Sequence, residues 1–550
     1  MTPKLHHTIA REGKPKGSDP ARFMNSFAWL HSLLRLLSGL VLMPSMVTHS
    51  EEWTNVYPNG STDVNGKVMW GIQMMFLVPH KGKLYAANGT QGETNTTLYP
   101  QQSQVLVLDS PNGNWRVDGQ FSLNQPRVNQ MQSLTFTTDV LGNVITPQNI
   151  LLAAPSDNTK RFAVYTRNDN NGFWVRTANF LVPNTDNFMP RAMTLYHDPV
   201  TETDNVYVGV RGGGVYRGGY DLTATGRIAW NTTPEFAPPG EYRITAFAEA
   251  NGQLFCSVSS ADDLTLLDGR IYRRTVNGTN PVWELIHITE DGLGWEDVRG
   301  LTGVPNPNGP GEVLVFTWNG KIFRLDPSQS PPQAVVECDI NAVVADNTGL
   351  TVSTVVAAYN EFVPVTLPGE TTTSWLVGLH TYINTAQHPD VPVVGNVLAD
   401  GAYLIRRQSG TSVSYEYRYI LRNYPAMVDP LMTVRHMCVS PFPEDEGKVL
   451  YACGLDHSGN PMSLAAWIYR GDFRKPPVTL DITQSTTDRM LLESGLTQPG
   501  YTYTLERSTD LGAWEPEIPD FRGNGLTHKR VIHFSSGPRR FFRLRMTPTP

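Results

Sequence analysis

Residues 206–230 read VYVGVRGGGVYRGGYDLTATGRIAW and contain three segments that are typical of β-strands. The first is Val206-Tyr207-Val208, and a glycine-rich turn separates it from a second segment that ends in Val215-Tyr216-Arg217. The third segment carries Trp230. Short runs of β-branched and aromatic residues between turns predict an antiparallel sheet.

The same order of segments recurs along most of the chain. The tryptophan segment repeats at Trp115, Trp174, Trp230 and Trp283, at intervals of 59, 56 and 53 residues. The aliphatic, aromatic and arginine ending is clearest at four places: Val215-Tyr216-Arg217, Ile271-Tyr272-Arg273, Ile322-Phe323-Arg324 and Ile468-Tyr469-Arg470. Weaker copies at 404–406, 164–165 and 105–108 bring the total to seven. Nearly constant spacing of this kind indicates an array of equivalent units.

Each unit also contains two apolar segments before the arginine ending, so that it consists of four short strands. The 47 glycines and 41 prolines, without collagen periodicity, fit many strands joined by turns. Four strands repeated seven times predict an all-β fold, and specifically a seven-bladed β-propeller over residues 51–474.

The two ends of the array complement each other. No tryptophan strand follows Ile468-Tyr469-Arg470, because the chain turns into Lys475-Pro476-Pro477. A suitable strand, Glu52-Trp53-Thr54-Asn55-Val56-Tyr57, instead precedes the first unit. We therefore expect this N-terminal strand to complete the seventh blade and to cover an otherwise exposed sheet edge.

The repeat stops at Pro477, and residues 477–550 contain about five short apolar segments, enough for a small β-sandwich. The runs YTLERSTDLGAW (503–514) and FFRLR (541–545) resemble a C-terminal β-sandwich that is common on exported bacterial proteins. The resemblance covers only about the last seventy residues. It implies export or retention at the cell surface, and it implies no chemistry.

Residues 1–50 differ from the rest in charge and in apolar content. They contain six lysines or arginines against Glu12 and Asp19, a net charge of +4. This basic part leads into the mostly apolar stretch 27–47, which Arg35 interrupts. The pattern predicts a secretory signal cleaved near Ser50, with a membrane anchor as the alternative. We therefore expect a secreted, periplasmic or cell-surface protein without a membrane span after removal of the signal.

The rest of the chain is acidic, because the overall charge of −7 less the +4 of the N-terminal segment leaves −11. This charge disfavours nucleic acid as a partner. The phosphate-binding loop, the H-E-x-x-H zinc motif and the Rossmann fingerprint are absent from the sequence. We therefore expect no cofactor and no metal, and we expect a monomer. The four cysteines have no metal-ligand spacing and are predicted to be buried thiols rather than disulfides: Cys256, Cys338, Cys438 and Cys453.

A ring of blades would bring the starts of the innermost strands to one common funnel. Counting back from those strands gives seven positions, of which four are arginine: Gln73, Gln132, Arg191, Arg243, Arg299, Thr351 and Arg435. The planar fork of arginine suits carboxylate, sulfate or phosphate. Two interpretations stay open: these residues bind an anionic ligand, or each arginine pairs with a neighbouring carboxylate such as Glu241, Glu296 or Asp297.

Long loops after the second strands lie on the same face of the predicted ring. The loop of the sixth unit contains His380 and Tyr382, and that of the seventh contains Asp456 and His457. Asp456-His457 is the first candidate for a base and its orienting partner, and His380 and Tyr382 are further candidates.

Two functions agree with these patterns. The favoured one is an exported protein that binds an anionic ligand at the funnel, an acidic glycan or a component of the cell envelope. The alternative is a secreted lyase or glycosidase that acts on an acidic polysaccharide at the same funnel. In the lyase form, arginine would neutralise a uronate carboxylate while His or Tyr removes the adjacent proton. The fold hosts both roles and does not decide between them.

Overall fold

A computed structural model describes residues 52–90, 102–183, 185, 187–238, 242–260, 268–278, 280–289, 297–367, 370–389, 391, 393–421, 430–456, 464–473, 480–485, 489–494, 501–509, 513–517, 520–522, 529–533 and 541–548. The all-β prediction is confirmed, with 59% strand and 4% helix. The predicted signal segment, residues 1–50, lies outside the described residues. Within the described part, no helix is both long enough and apolar enough to cross a bilayer.

The strands form small antiparallel sets in chain order. Strand β1 (Glu52–Asn55) comes first. The first set contains β2 (Gln73–His80), β3 (Lys83–Gly89), β4 (Gln104–Leu108) and β5 (Arg116–Gln120). The second contains β6 (Val128–Thr138), β7 (Val144–Pro155), β8 (Tyr165–Arg167) and β9 (Trp174–Arg176). The third contains β10 (Pro190–Asp198), β11 (Thr203–Val210), β12 (Gly214–Tyr220) and β13 (Ile228–Trp230), with a 3-10 turn at Thr225–Arg227.

The later sets follow the same plan until the sixth. The fourth contains β14 (Tyr242–Ala250), β15 (Gln253–Ser260), β16 (Gly269–Asn277) and β17 (Asn280–Thr289). The fifth contains β18 (Arg299–Pro305), β19 (Glu312–Trp318), β20 (Lys321–Leu325) and β21 (Ala334–Asp339). The sixth contains β22 (Val352–Ala357), β23 (Val363–Val365), β24 (Ser374–Ile383), β25 (Val393–Val394), β26 (Val397–Leu398), β27 (Ala402–Ser409) and β28 (Ser412–Tyr419).

The seventh set combines strands from both ends of the array. It contains β29 (Thr433–Val439), β30 (Val449–Leu455) and β31 (Ala466–Asp472), with a 3-10 turn at Pro443–Asp445. Strand β1 pairs antiparallel with β31, and Trp53 lies opposite Gly471. Trp53 packs edge-on against Tyr403, at 6.1 Å between ring centroids, and against Phe473, at 6.2 Å. The edge of β31 is thus paired and partly covered by an aromatic side chain.

A helix that the sequence patterns did not predict joins the fifth and sixth sets. Helix α1 (Ile340–Thr348) begins after Asp339, whose carboxylate accepts a hydrogen bond from the backbone N–H of Ala342. It ends at Gly349, which has a left-handed backbone conformation with a φ of 70°. An aspartate N-cap and a glycine after the last turn are standard helix boundaries. Ile340 and Val344 face the core, so the helix is held by packing as well as by its caps.

The hydrophobic core is divided into clusters that lie between consecutive sets. Neighbouring residues of one strand serve two clusters, because strand side chains alternate in direction. Phe76 packs between the first and second sets, whereas Leu77 packs between the first and the seventh. Every other pair of consecutive sets shares a cluster in the same way. The series of packed interfaces therefore returns to its starting point.

The C-terminal part of the chain forms two small antiparallel sheets. One contains β32 (Leu480–Ser485), β33 (Arg489–Ser494) and β37 (Lys529–His533). The other contains β34 (Tyr501–Ser508), β35 (Glu515–Pro516), β36 (Phe521–Arg522) and β38 (Phe541–Pro548). The five longest of these strands coincide with the apolar segments of the sequence.

Candidate functional site

The first strand of every set carries an irregularity close to its beginning. The ladder to the second strand skips residues between Met74 and Phe76, Val128 and Gln130, Pro190 and Ala192, Ile244 and Ala246, Arg299 and Thr302, Val352 and Thr354, and Val434 and His436. A bulge bends its strand and redirects the extra side chain. Arg191 and Arg435 are such extra residues, so the bulges explain why these two guanidiniums leave the sheets.

Five arginines from different sets lie within electrostatic range of one another, and we call them the arginine cluster: Arg127, Arg191, Arg243, Arg299 and Arg435. Four of them act on the side chain of Tyr359: Arg127, Arg191, Arg299 and Arg435. Arg191 donates from Nη1 to the Tyr359 hydroxyl over 3.3 Å. The guanidinium carbons of Arg435 and Arg299 lie 3.4 Å and 4.7 Å from the centre of the Tyr359 ring. These are cation–π distances, and they place an aromatic ring among several cations.

The charges of the cluster change the protonation of its members. Burial, followed by repulsion from Arg191, lowers the pKa of Arg127 to about 9. The pKa of Tyr359 also falls. Burial favours the neutral phenol, but attraction to Arg435, Arg191 and the other cluster arginines outweighs it and holds the pKa of Tyr359 well below its ordinary value. Ionisation of Tyr359 therefore places a negative charge among the arginines.

Tyr359 reaches the cluster because the first strand of the sixth set is broken. Both β22 and β23 pair with β24, and residues 358–362 bulge out between them. The break begins at Ala358, which has a φ of 47°. The side-chain amide of Asn360 then donates to the carbonyls of Met75, at 2.6 Å, and Arg435, at 3.0 Å. Asn360 thus ties this segment to the bulges of the first and seventh sets.

Acidic partners of the cluster are few in the part of the chain that the structure describes. Asp297 Oδ2 bonds to Nη2 of Arg299 at 2.6 Å and to Nη1 of Arg243 at 3.2 Å. The alternative of arginine–carboxylate pairs therefore holds for these two arginines. Nε of Arg191 and both Nε and Nη1 of Arg435 are buried without a hydrogen-bond partner among the described residues. Glu241 and Glu296, the other expected acids, lie outside the described residues.

Three of the predicted funnel positions lie elsewhere. Gln73 is fully buried. Gln132 donates to the carbonyl of Met193 at 2.7 Å and lines a cavity of about 300 Å³ that also borders Glu361. Thr351 is exposed, and its backbone N–H donates to Nε2 of His388 at 2.8 Å. In the described part of the chain, these three residues make no hydrogen bond or ion pair with the arginine cluster, whereas the four predicted arginines do converge.

Arg127 and Tyr359 were missed by the sequence reasoning, for different reasons. The predicted position on β6 was Gln132, a fixed number of residues before the apolar part of the strand. Strand β6 has 11 residues and begins further ahead of its apolar part than the other first strands do, so the position nearest the cluster was missed. The dipeptide Pro126-Arg127 repeats Pro190-Arg191 and would have identified Arg127. Tyr359 belongs to the interrupted strand of the irregular sixth set, so no repeat indicates it.

His380 and Tyr382 lie on strand β24 and not in a loop as predicted, because this strand continues to Ile383 through its pairing with β22. Nδ1 of His380 hydrogen-bonds to the Thr433 hydroxyl, and the rings of His380 and Tyr382 are 4.6 Å apart. Burial raises the pKa of Tyr382, and the charges of Arg435 and Arg299 act on it in the opposite direction. Tyr382 therefore stays protonated at neutral pH within electrostatic range of the cluster.

Of the other predicted pair, only Asp456 belongs to the described residues. Asp456 is half-buried, and its backbone N–H donates to the carbonyl of Ala465 at 2.8 Å. His457 lies outside the described residues. The cysteines are buried and free: Cys256, Cys338, Cys438 and Cys453. The described residues contain no group of three His, Cys, Asp or Glu side chains that could hold a metal ion.

Comparisons with known proteins give no family. No protein-family model and no curated protein matches the chain. Among solved structures, the α-L-arabinofuranosidase Arb93A from Fusarium graminearum with an iminosugar inhibitor is 11% identical, with 78% of this chain and 99% of that chain covered and a TM-score of 0.34. A mutant of that enzyme is 12% identical, with 60% and 92% covered and a TM-score of 0.34. At these scores neither similarity bears on the function of this chain.

Proposed function

We propose that the seven sets are the blades of a closed seven-bladed β-propeller, with β1 as the outer strand of the last blade and the arginine cluster on its axis. The hydrophobic clusters between consecutive sets support this proposal, since one of them joins the seventh set to the first. The two C-terminal sheets would form the separate β-sandwich.

Deletion of either end tests this arrangement. Removing residues 51–60 exposes the edge of β31 and removes Trp53 from its contacts with Tyr403 and Phe473. Trp53 is partly buried and β1 pairs with β31 along four residues, so we expect a much lower melting temperature in thermal unfolding. Removing residues 477–550 should leave the main transition in place. Equal tolerance of both deletions would contradict the closing role of β1.

For function, we propose that this protein binds an anionic ligand at the arginine cluster and that the ligand is an acidic glycan. The observation that carries the proposal is the convergence of five arginines, with Asp297 as their one acidic partner in the described residues. Guanidinium groups with unpaired buried N–H atoms are costly unless an anion accepts those hydrogen bonds. Carboxylate and sulfate groups on a sugar polymer have the required charge and geometry.

We further propose that the protein acts outside the cytoplasm as a monomer, as a secreted, periplasmic or cell-surface protein. The basic and then apolar sequence of residues 1–50 supports export, and the charge of −11 on the rest disfavours nucleic acid as a partner. Cell fractionation with N-terminal sequencing of the mature chain tests export, and light scattering tests the monomer. A full-length cytoplasmic product would contradict the proposed export.

A binding experiment on the full chain tests the ligand class. We expect retention on immobilised polygalacturonate and heparin, weakening with salt, and no retention on neutral dextran. Arg191→Ala combined with Arg435→Ala should abolish this retention. The matched control is Arg161→Ala, because Arg161 is exposed and its Nη1 bonds to Asn179. If the double variant binds as tightly as the wild type, the cluster is not the binding site.

The enzymatic alternative, a lyase or glycosidase on the same polymers, is favoured by one specific observation. The pair His380 and Tyr382 lies within electrostatic range of Arg435 and Arg299, so proton-transfer groups accompany the cations. Incubation of the full chain with acidic polysaccharides separates the two functions. New unsaturated or reducing ends support the enzyme, whereas retention without any product supports binding alone.

A further inference from the structure

Tyr359 combines features that a purely structural tyrosine does not need. Its side chain is half-buried, so it is neither enclosed in the core nor free on the surface. Its hydroxyl accepts a hydrogen bond from Arg191, and the cations of Arg299 and Arg435 face its ring. A phenol in this surrounding loses its proton far more readily than one in water.

The position of this phenol is fixed by its neighbours in the chain. Asn360 anchors the segment to two backbone carbonyls, and Glu361 Oε1 lies 2.5 Å from Nε2 of His436. The Tyr359 oxygen is therefore held in place before any ligand arrives. A preorganised group does not have to be ordered during the reaction, which is a general source of rate enhancement.

We propose that Tyr359 is the proton-transfer residue of a β-elimination on uronate-containing polysaccharides, with Arg191 and Arg435 binding the uronate carboxylate. This inference rests on the proposed function, because it requires an acidic glycan at the arginine cluster. It goes beyond the enzymatic alternative by committing to elimination, by naming the residue that removes the proton and by naming the two arginines that bind the carboxylate.

The reaction needs no oxidant, no cofactor and no water. The phenolate oxygen of Tyr359 removes the proton from C5 of the uronate, next to the carboxylate. The electron pair of the C–H bond becomes the C4=C5 double bond, and the bond from C4 to the glycosidic oxygen breaks. That oxygen then takes the same proton from the Tyr359 hydroxyl, which restores the phenolate. Arginines at the carboxylate stabilise the negative charge that develops there during proton removal.

Tyr359→Phe is the central test, because it keeps the ring between Arg299 and Arg435 and removes only the oxygen. The substrates are polygalacturonate, alginate and hyaluronate, and the product is measured by the ultraviolet absorbance of the new double bond. We expect the wild type to act on at least one polymer and Tyr359→Phe to lower kcat/KM by at least about 100-fold. The control Tyr419→Phe, an exposed tyrosine on β28, should be unaffected.

Binding is measured in parallel on the same polymers. The Kd of Tyr359→Phe should be unchanged or lower, because the cluster loses its internal anion. Elimination that persists in Tyr359→Phe overturns the inference. A wild type that binds through Arg191 and Arg435 but forms no unsaturated ends also overturns it and leaves the proposed function intact. Absence of binding and product together would refute both.

Two measurements check the role of the phenolate itself. At neutral pH the difference spectrum of wild type minus Tyr359→Phe should contain the absorption of a tyrosinate, and the spectrum of a neutral phenol would overturn the inference. The kcat/KM of the wild type should stay level from neutral pH to about pH 9, whereas a tyrosine of ordinary pKa near 10 would make it rise tenfold for each pH unit.

Discussion

The first strands of the third and sixth sets occupy the same place in their sheets but differ in continuity. Strand β10 runs from Pro190 to Asp198 with one bulge, and this bulge directs Arg191 out of the sheet. The sixth set has its corresponding strand divided into β22 and β23, and the residues between them carry Tyr359 and Asn360 into the cluster. The regular strand contributes a cation, and the interrupted one contributes a phenol with a lowered pKa and an anchor.

This difference indicates a division of roles. Repetition places similar residues at equivalent positions, so it can build a concentration of like charge, as the arginines do. Like charges repel, and they need a group of another kind in their midst. Only a departure from the repeat can supply that group, because a residue repeated in every set would occur several times around the centre.

The largest expected effect on stability comes from replacing a tightly packed glycine by alanine in the sixth set and in the third. A Cβ on Gly378, in β24, would lie 2.4 Å from the backbone oxygen of Val434, whereas one on Gly219, in β12, would lie 2.7 Å from Cγ1 of the exposed Val140 side chain. A side chain can move more easily than a backbone carbonyl. Gly378→Ala should therefore lower the free energy of unfolding in urea by about 3 kcal/mol and Gly219→Ala by about 1 kcal/mol. Equal losses would mean that the sixth set is as adaptable as the third.

Removing the anchor of the interrupted strand should have the next largest effect. Asn360→Ala leaves the carbonyls of Met75 and Arg435 without their amide donor, at a cost of about 2 kcal/mol. The control is Asn143→Ala, because the Asn143 amide bonds to Asp139 at an exposed turn. Chemical denaturation compares the two variants. A loss for Asn360→Ala no greater than that of the control would show that the segment is held by packing alone.

Tyr359 and Tyr382, which both belong to the sixth set, should respond oppositely to pH. Unfolding restores an ordinary pKa near 10 to Tyr359, so the unfolded chain binds more protons and stability rises with pH below that value. The free energy of unfolding should rise by up to about 1.4 kcal/mol per pH unit, and this rise should disappear in Tyr359→Phe. Tyr382 has a raised pKa, so its contribution is constant below about pH 10 and is lost above it. The measurement is the free energy of unfolding from about pH 6 to about pH 9. A pH dependence that disappeared in Tyr382→Phe and persisted in Tyr359→Phe would contradict this assignment.

The smallest expected effect separates individual arginines. Arg435 is the strongest of the attractions that lower the pKa of Tyr359, and Arg127 is weaker. Arg435→Gln should therefore raise the pKa of Tyr359 in a spectrophotometric titration by roughly one unit or more, and Arg127→Gln by less. The reverse order would place Arg127 closer to the phenolate than the structure does.

Much of the fold could be predicted from sequence, because strand residues and turns recur at a spacing that sequence displays directly. The strands around Val206, Val215 and Trp230 are found where the pattern placed them. The pairing of the strand at Trp53 with β31 followed from a missing strand at one end and a spare strand at the other. Helix α1 was not predicted, because it is a single short element between two repeats.

The candidate site was less predictable, since it depends on bulges and breaks. The repeat spacing identified Arg191 and Arg243, because the first strands of their sets have similar lengths. Strand β6 is longer, so the same spacing indicated Gln132 instead of Arg127. The interruption after Ala357 brings Tyr359, and not Thr351, to the arginine cluster, and no local sequence pattern indicates this interruption. Geometry of this kind arises from contacts between sets, which a single sequence does not display.

The pairing of β1 with β31 has a consequence for the order in which the chain folds. Trp53 and its partner Gly471 are 471 − 53 = 418 positions apart in sequence. A contact of such range closes late, because most of the chain must be synthesised before its second partner exists, and closure of so long a loop costs entropy. Until then β1 has no partner strand. The last event in forming the array is thus the capture of its earliest strand, and a mutation in that strand should slow the final step without altering the earlier ones.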